Sequence, residues 1–232
     1  MKTDGLVVLG ARGTLGSAFC SSTKELCAAQ FLFDRLEDSN ENTFACDLAS
    51  EEQISSAVKR LPINAHRMWR LLITAGTYSG TASSTLSWSE IRTSIQVNLI
   101  GIAQFATMFM DKIYKERCSA RIVIISSAAA RVGSLDMGYG IAKAGIEGLI
   151  RSGSKRYSRH GITIIGVAPG LFPSAMSKNQ DSDRKQAAVS QGHLGRTVRL
   201  EEVLECVTFA MFAAPDALSG TFISPNGGQV SG

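Results

Sequence analysis

The chain predicts an α/β fold, a doubly wound sheet of about seven parallel strands flanked by helices in a single domain, and three observations predict it. Short continuous apolar runs, the mark of strands buried on both faces, alternate with helical periodicity along all 232 residues. A glycine-rich turn, Gly10-Ala11-Arg12-Gly13-Thr14-Leu15-Gly16, separates the first apolar run from the first helical stretch. Small residues, Thr74-Ala75-Gly76 and Ser126-Ser127, close two other runs at the carboxyl ends, where open parallel sheets hold their ligands.

Taken in order, Leu6-Val7-Val8-Leu9 is the first strand and 17–28 the helix after the glycine turn. In that setting the first glycine permits a tight turn, the next a close backbone approach and the last helix-on-strand packing. A pyrophosphate then meets the free N–H groups at the helix start, so the turn points to a dinucleotide. Phe31-Leu32-Phe33 is the second strand and ends in Asp34, about 20 residues beyond the turn, where a carboxylate accepts from the adenosine ribose hydroxyls. This favours NAD(H) over NADP(H), although Arg12 and Arg35 stand close enough to neutralise a 2′-phosphate. Phe44-Ala45-Cys46 is a third strand, followed by Asp47-Leu48 and a helix over 49–61 that Asp47 is placed to cap.

Leu71-Leu72-Ile73 is the fourth strand, and 87–115 reads as one long helix with Ile91, Ile95, Ile102, Phe105 and Phe109 on its apolar stripe. Asn98 falls on that stripe, so its amide is expected to be buried, as a network member or as part of a site. Ile122-Val123-Ile124-Ile125 is the fifth strand, 128–138 a loop, and a helix runs from Tyr139 to about His160. The sixth strand, 162–167, closes on Ala168-Pro169-Gly170; the polar stretch 171–199 reads as a mobile lid, 199–213 as a helix and 220–224 as the seventh strand.

Composition bounds the rest. Apolar residues make up 44% and charged residues 19%, values of a globular chain. The net charge is +4 and the pI about 8.9, with basic residues such as Arg70, Lys112 and Arg151 assigned to solvated helix faces. No basic block interleaved with aromatics suggests nucleic acid. Five scattered cysteines show neither disulfide nor metal-site spacing, which suits a reducing, cytoplasmic setting. No charged-then-apolar leader precedes Leu6, and no apolar stretch approaches the ~20 residues of a membrane span.

Tyr139-Gly140-Ile141-Ala142-Lys143 carries the chemistry. Four residues apart on a helix, a phenol and an ammonium share one face. At an effective dielectric near 20, a cation about 4 Å away is worth on the order of 4 kcal/mol, roughly three pKa units of phenolate stabilisation. Lys143 is therefore expected to bring Tyr139 down toward a useful acid/base range.

These residues together resemble the short-chain dehydrogenases/reductases along essentially the whole chain. The resemblance rests on the turn at Gly10 to Gly16, Asp34, Asp47-Leu48, Thr74-Ala75-Gly76, Asn98, Ser127, Tyr139-x-x-x-Lys143, Pro169-Gly170 with Ser174, and Asn226-Gly227-Gly228. It implies a Rossmann-type fold and hydride transfer between NAD(P) and a carbonyl or secondary alcohol. In that reading Tyr139 is the general acid/base, Lys143 lowers its pKa and holds the nicotinamide ribose, Ser127 orients the substrate oxygen and Asn98 holds a relay water. Gly10, Arg12, Gly13, Thr14, Leu15, Gly16, Asp34, Arg35, Asp47, Leu48, Thr74, Ala75 and Gly76 would bind the cofactor, together with Pro169, Gly170, Phe172 and Ser174. A homodimer or homotetramer packed through helices 88–116 and 138–159 is also implied. Departures are Gly13, one position early, Thr74 and Gly166 in place of asparagines, and a Ser127–Tyr139 gap one residue short, which leaves Ser126 and Ser127 both open as the substrate serine.

Tyr78, Trp88, Leu135, Met137, Phe172 and Met176 suggest an apolar substrate pocket for a small or carrier-bound carbonyl. The basic excess suits an acidic carrier protein, hence a 3-oxoacyl-carrier-protein or tailoring ketoreductase as the alternative. A dinucleotide-binding regulator without turnover is the alternative of another class.

Overall fold

The computed structural model describes residues 4–36, 43–78, 87–178 and 182–230, with the side chains of 182–185 outside that description. Seven parallel strands form one sheet in the order β3-β2-β1-β4-β5-β6-β7. They are β1 Asp4–Leu9, β2 Ala29–Asp34, β3 Thr43–Ala45, β4 Met68–Ile73, β5 Ser119–Ile125, β6 Ile162–Val167 and β7 Phe222–Ile223. Strand order reverses between β1 and β4, which opens a crevice at the carboxyl ends of both.

Period-two alternation in continuous apolar strands explains the two layers. Leu6 and Val8 of β1 pack toward α1 Thr14–Thr23 and α8 Leu200–Phe212. Val7 and Leu9 point the other way, toward α2 Glu51–Arg60, α4 Ile102–Lys115 and α6 Met137–Tyr157. Both faces are closed, as a parallel sheet requires.

Two strands begin earlier than the apolar runs suggest, because each carries near its start an arginine held by protein partners, Arg121 buried and Arg70 partly so. Arg70 of β4 donates to Asp4 at 2.7 and 2.9 Å and to the Met211 carbonyl. Arg121 of β5 donates to the Ala210 and Ala214 carbonyls and to Asp216. Both guanidiniums thus sit where the last turn of α8 has carbonyls without helical partners. Lys112 does the same for α2, donating to the carbonyls of Val58, Lys59 and Leu61 at 3.1, 2.9 and 2.7 Å. Arg70 and Lys112 are therefore structural caps, not the solvated charges expected of them.

Other boundaries moved for local reasons. Ser50, not Asp47, caps α2: its Oγ accepts from Gln53 N at 3.3 Å, while Asp47 Oδ1 takes Ala49 N at 2.9 Å. The loop after β5 contains a single helical turn, α5 Ala129–Val132. The 171–199 stretch holds a helix, α7 Ser182–Gln191, and residues 179–181 lie outside the described residues.

The expected helix over 87–115 is not continuous. α3 Trp88–Ile95 and α4 are joined by a π-helical segment, Gln96–Gly101. Wider turns of this kind recur where a side chain must be redirected. Here the segment buries Asn98 completely and lays Gly101 on the backbone of Leu48, where an added Cβ would come within 2.1 Å of the Leu48 carbonyl oxygen. Neither partner of that contact is a flexible side chain. Gly101→Ala should therefore destabilise the fold by about 3 kcal/mol, read as a lower midpoint in urea unfolding at unchanged slope.

Candidate active site

One open cleft of about 1710 Å³ runs along the carboxyl ends of the strands. Every site residue expected from the sequence lines it except Gly16 and Asn98, which stand behind its wall. At one end the turn after β1 is held by Gly10 N and Ala11 N donating to Phe33 O at 2.8 and 3.1 Å. Gly10 has φ +91°, and a Cβ there would meet Ala75 N at 2.5 Å. A Cβ on Gly16 would lie 2.1 Å from Gly10 O, so only glycine lets α1 start this close to the strand. Thr74 Oγ1 donates to Gly10 O at 2.9 Å, which ties the turn to the end of β4. Asp34 Oδ2 accepts from Arg12 N at 3.0 Å and Oδ1 from Arg35 N at 2.8 Å.

The far end is built on α6. Asp136 caps it by accepting from Tyr139 N at 2.9 Å. Small residues let it pack closely: a Cβ on Gly138 would meet Ile91 O at 2.8 Å, and one on Gly145 would meet Leu99 at 2.6 Å. Lys143 is 4% exposed and its Nζ donates to Ile125 O, the last residue of β5, at 2.9 Å. One turn earlier, Tyr139 faces the cleft with the Tyr78 ring edge-on at 5.3 Å. Ser127 lies near enough to Tyr139 to favour its ionised form, whereas the buried Ser126 hydroxyl donates inward to Lys143 O at 3.4 Å. Of the two serines, Ser127 is the one that meets the phenol.

Electrostatics run opposite to the expectation for Tyr139. Burial pushes its phenol up to about 12; the nearby Ser127 hydroxyl opposes this and the Asp136 charge adds to it. Burial also brings Lys143 down to about 8. The ammonium is held by Ile125 O and lies 5.5 Å from the Tyr139 ring centre, so it does not offset the phenol's desolvation. Spacing placed both groups on one face but could not say where Nζ points.

Asn98 behaves as a network member. Its Oδ1 accepts from Thr77 N at 2.7 Å, and its Nδ2 donates to Thr77 O at 2.9 Å and Ser94 Oγ at 3.1 Å. The amide thereby fixes the chain leaving β4, with Gly76 between it and Lys143. Thr14 Oγ1 accepts from Ala175 N at 3.0 Å, joining the glycine turn to the segment of Phe172 and Ser174. That segment is closed by Ser177 Oγ donating to Phe172 O at 3.0 Å.

Among the residues expected to form the pocket, Tyr78, Leu135, Phe172 and Met176 line the cleft. Trp88 and Met137 do not, and are 71% and 46% exposed on the outer face. Thr93, Val97, Ala187, Ala188, Gln191 and Gln229 also line it. Nothing in their spacing marked them. Cys46 reaches the wall, but burial first and Asp47 second push its thiol up to about 12, so it is no nucleophile at neutral pH.

Comparisons with known proteins agree with this geometry. The short chain dehydrogenase family model matches residues 6–185. A 3-oxoacyl-[acyl-carrier-protein] reductase of Vibrio cholerae is 25% identical over 99% of both chains. The corresponding reductase of Salmonella typhimurium is 28% identical over 143 residues, 61% of this chain and 57% of the relative. The gluconate 5-dehydrogenase from Burkholderia cenocepacia, solved with NADP and tartrate, superposes with a TM-score of 0.86 at 19% identity, covering 99% of this chain and 96% of that one. A short-chain dehydrogenase/reductase from Brucella melitensis gives 0.83 at 22% identity over 100% and 98%. With the fold, the cleft and the family match in agreement, the chain belongs to the short-chain dehydrogenase/reductase family of NAD(P)-dependent oxidoreductases.

Proposed function

We propose that the chain interconverts a carbonyl and a secondary alcohol, with Tyr139 handling the proton, Ser127 orienting the substrate oxygen and Lys143 supplying the neighbouring positive charge. The observation that carries this reading is that Ser127, Tyr139 and Lys143 come together in a cleft that begins at the glycine turn. A nicotinamide dinucleotide supplies or takes the hydride. The residues fit such a group. Gly10, Gly13 and Gly16 leave a cradle that side chains would fill, and the cleft is larger than a substrate alone needs. Arg12, Thr14, Leu15, Asp34, Arg35, Asp47 and Leu48 would hold its adenosine and pyrophosphate. Thr74, Ala75, Gly76, Pro169, Gly170, Phe172 and Ser174, with Tyr139 and Lys143, would hold the nicotinamide half.

A phenol pushed up to about 12 is fully protonated at neutral pH, the state required of an acid that delivers a proton to a carbonyl oxygen. Ser127 holds that oxygen next to the phenol. Asn98 acts by keeping Gly76 and Thr77 in place beside Lys143.

Asp34 stands where a ribose acceptor is wanted, which supports NAD over NADP. The carrier-protein reductases among the relatives support a second reading of the substrate, a 3-oxoacyl group on an acidic carrier, for which the +4 charge is suited. Five free cysteines support a cytoplasmic setting. No helix among the described residues is long and apolar enough to cross a membrane. Trp88, Ile100, Met137 and Ile141, exposed along the α3-to-α6 side, support assembly as a homodimer or homotetramer.

Tyr139→Phe should retain NADH binding, and prefer it to NADPH, while kcat on a carbonyl panel falls at least about 100-fold; full turnover in the variant would refute the assignment. Because Lys143 titrates near 8, it is cationic below that pH and neutral above it. The rate of carbonyl reduction should accordingly decline as pH rises through about 8, with no matching loss between pH 6 and 7, in a kcat/KM profile. Light scattering of the purified chain should give the mass of two or four subunits, and a monomer would contradict the assembly.

A further inference from the structure

Behind the Ser127, Tyr139 and Lys143 site lies a charged group that the proposed reaction does not use. Glu147 follows Lys143 by four residues on the same face of α6 and is 5% exposed. Its carboxylate accepts from Arg151 Nη2 at 2.6 Å and from Arg131 Nε at 3.4 Å. Both guanidiniums lie over the Phe222 ring, 4.9 and 5.8 Å from its centre. That ring in turn covers Gly166, where a Cβ would come within 2.3 Å of it. A buried carboxylate is tolerated only when it is paired, and here two more exposed guanidiniums pair it.

The two arginines differ in what they carry. Arg151 sits one turn along α6, and its pair with Glu147 stays inside that helix. Arg131 belongs to α5, the single turn folded directly onto Ser127: Ala129 N donates to Ser127 Oγ at 3.1 Å and Ala130 N to Ser127 O at 3.0 Å. One helical turn has little stability of its own and depends on what it packs against. We propose that Glu147 is a positioning residue, which by holding Arg131 fixes α5 against α6 and keeps the Ser127 hydroxyl at the Tyr139 phenol. The proposal rests on the oxidoreductase reading given above.

The test compares Glu147→Gln, Arg131→Met, Arg151→Met, Ser127→Ala and the Glu147→Gln/Ser127→Ala pair in the full chain. Turnover, NADH affinity and amide hydrogen exchange are measured for each. Glu147→Gln and Arg131→Met should each lower kcat by about 10-fold to 100-fold, the scale of a small misplacement of a reacting group, with NADH affinity within about twofold. Since Ser127 carries the effect, the pair should be no slower than Ser127→Ala alone. Arg151→Met, which leaves the Arg131 link in place, should keep kcat within about threefold of the wild type. The amides of Ala129 and Ala130 should exchange faster in Glu147→Gln and Arg131→Met, while those of α6 keep their protection.

Additive losses in the pair, an equal loss in Arg151→Met, or unchanged exchange at Ala129 and Ala130 would each overturn the proposal. Absence of turnover in the wild type would instead sink the oxidoreductase reading, and the exchange comparison would still decide whether Glu147 holds α5. If Glu147→Gln does not fold, Arg131→Met, at a partly exposed side chain, makes the same comparison.

Discussion

A single ammonium, taken almost wholly out of water, organises one end of the cleft. Lys143 can stay there because its Nζ is bonded to the Ile125 carbonyl, and that bond joins the middle of α6 to the carboxyl end of β5. The next residues on β5's side are the two serines; one turn back on α6 is Tyr139. Once glycines at 138 and 145 let α6 approach, fixing the lysine brings the phenol over Ser127. The same burial moves both titratable groups toward neutrality, Lys143 to about 8 and Tyr139 to about 12. The chain alone therefore favours an undissociated phenol.

Much of the fold was legible because parallel strands buried on both faces read as apolar runs, and glycines mark where backbones cross closely. Reading failed where a polar residue is buried for a tertiary reason. Strands β4 and β5 were expected to start at Leu71 and Ile122, one residue after Arg70 and Arg121. Both arginines look like loop residues until α8 supplies carbonyls and Asp4 and Asp216 supply carboxylates to receive them. Lys112 was misjudged for the same reason, since its acceptors lie more than 50 residues away. No local pattern encodes such partners.

The site divides along the same line. Spacing was enough to bring Tyr139, Lys143, the glycine turn and Asp34 to one cleft, because helix periodicity and the strand–turn–helix context constrain them locally. The choice between Ser126 and Ser127 could not be made from sequence: it depends on which hydroxyl the strand end turns inward and which it leaves near the phenol. The direction of the phenol's shift is set by its burial, and that too is tertiary. Glu147 resembles any acidic residue on a helix surface, and its burial is visible only with Arg131 and Phe222 in place.

The π-helical stretch at Gln96–Gly101 has a further consequence. An α-helix turns about 100° per residue, so a turn holding one residue more rotates everything before it relative to everything after it. The facing of α3, with Thr93 toward the cleft and Ile91 and Ser94 under Gly138, is thus set by how many residues separate it from α4, and hydrophobicity alone does not set it. Along this segment chain length is itself structural information. A lineage could exchange many side chains here and keep the wall of the cleft, whereas the loss of one codon would swing the whole wall around its axis.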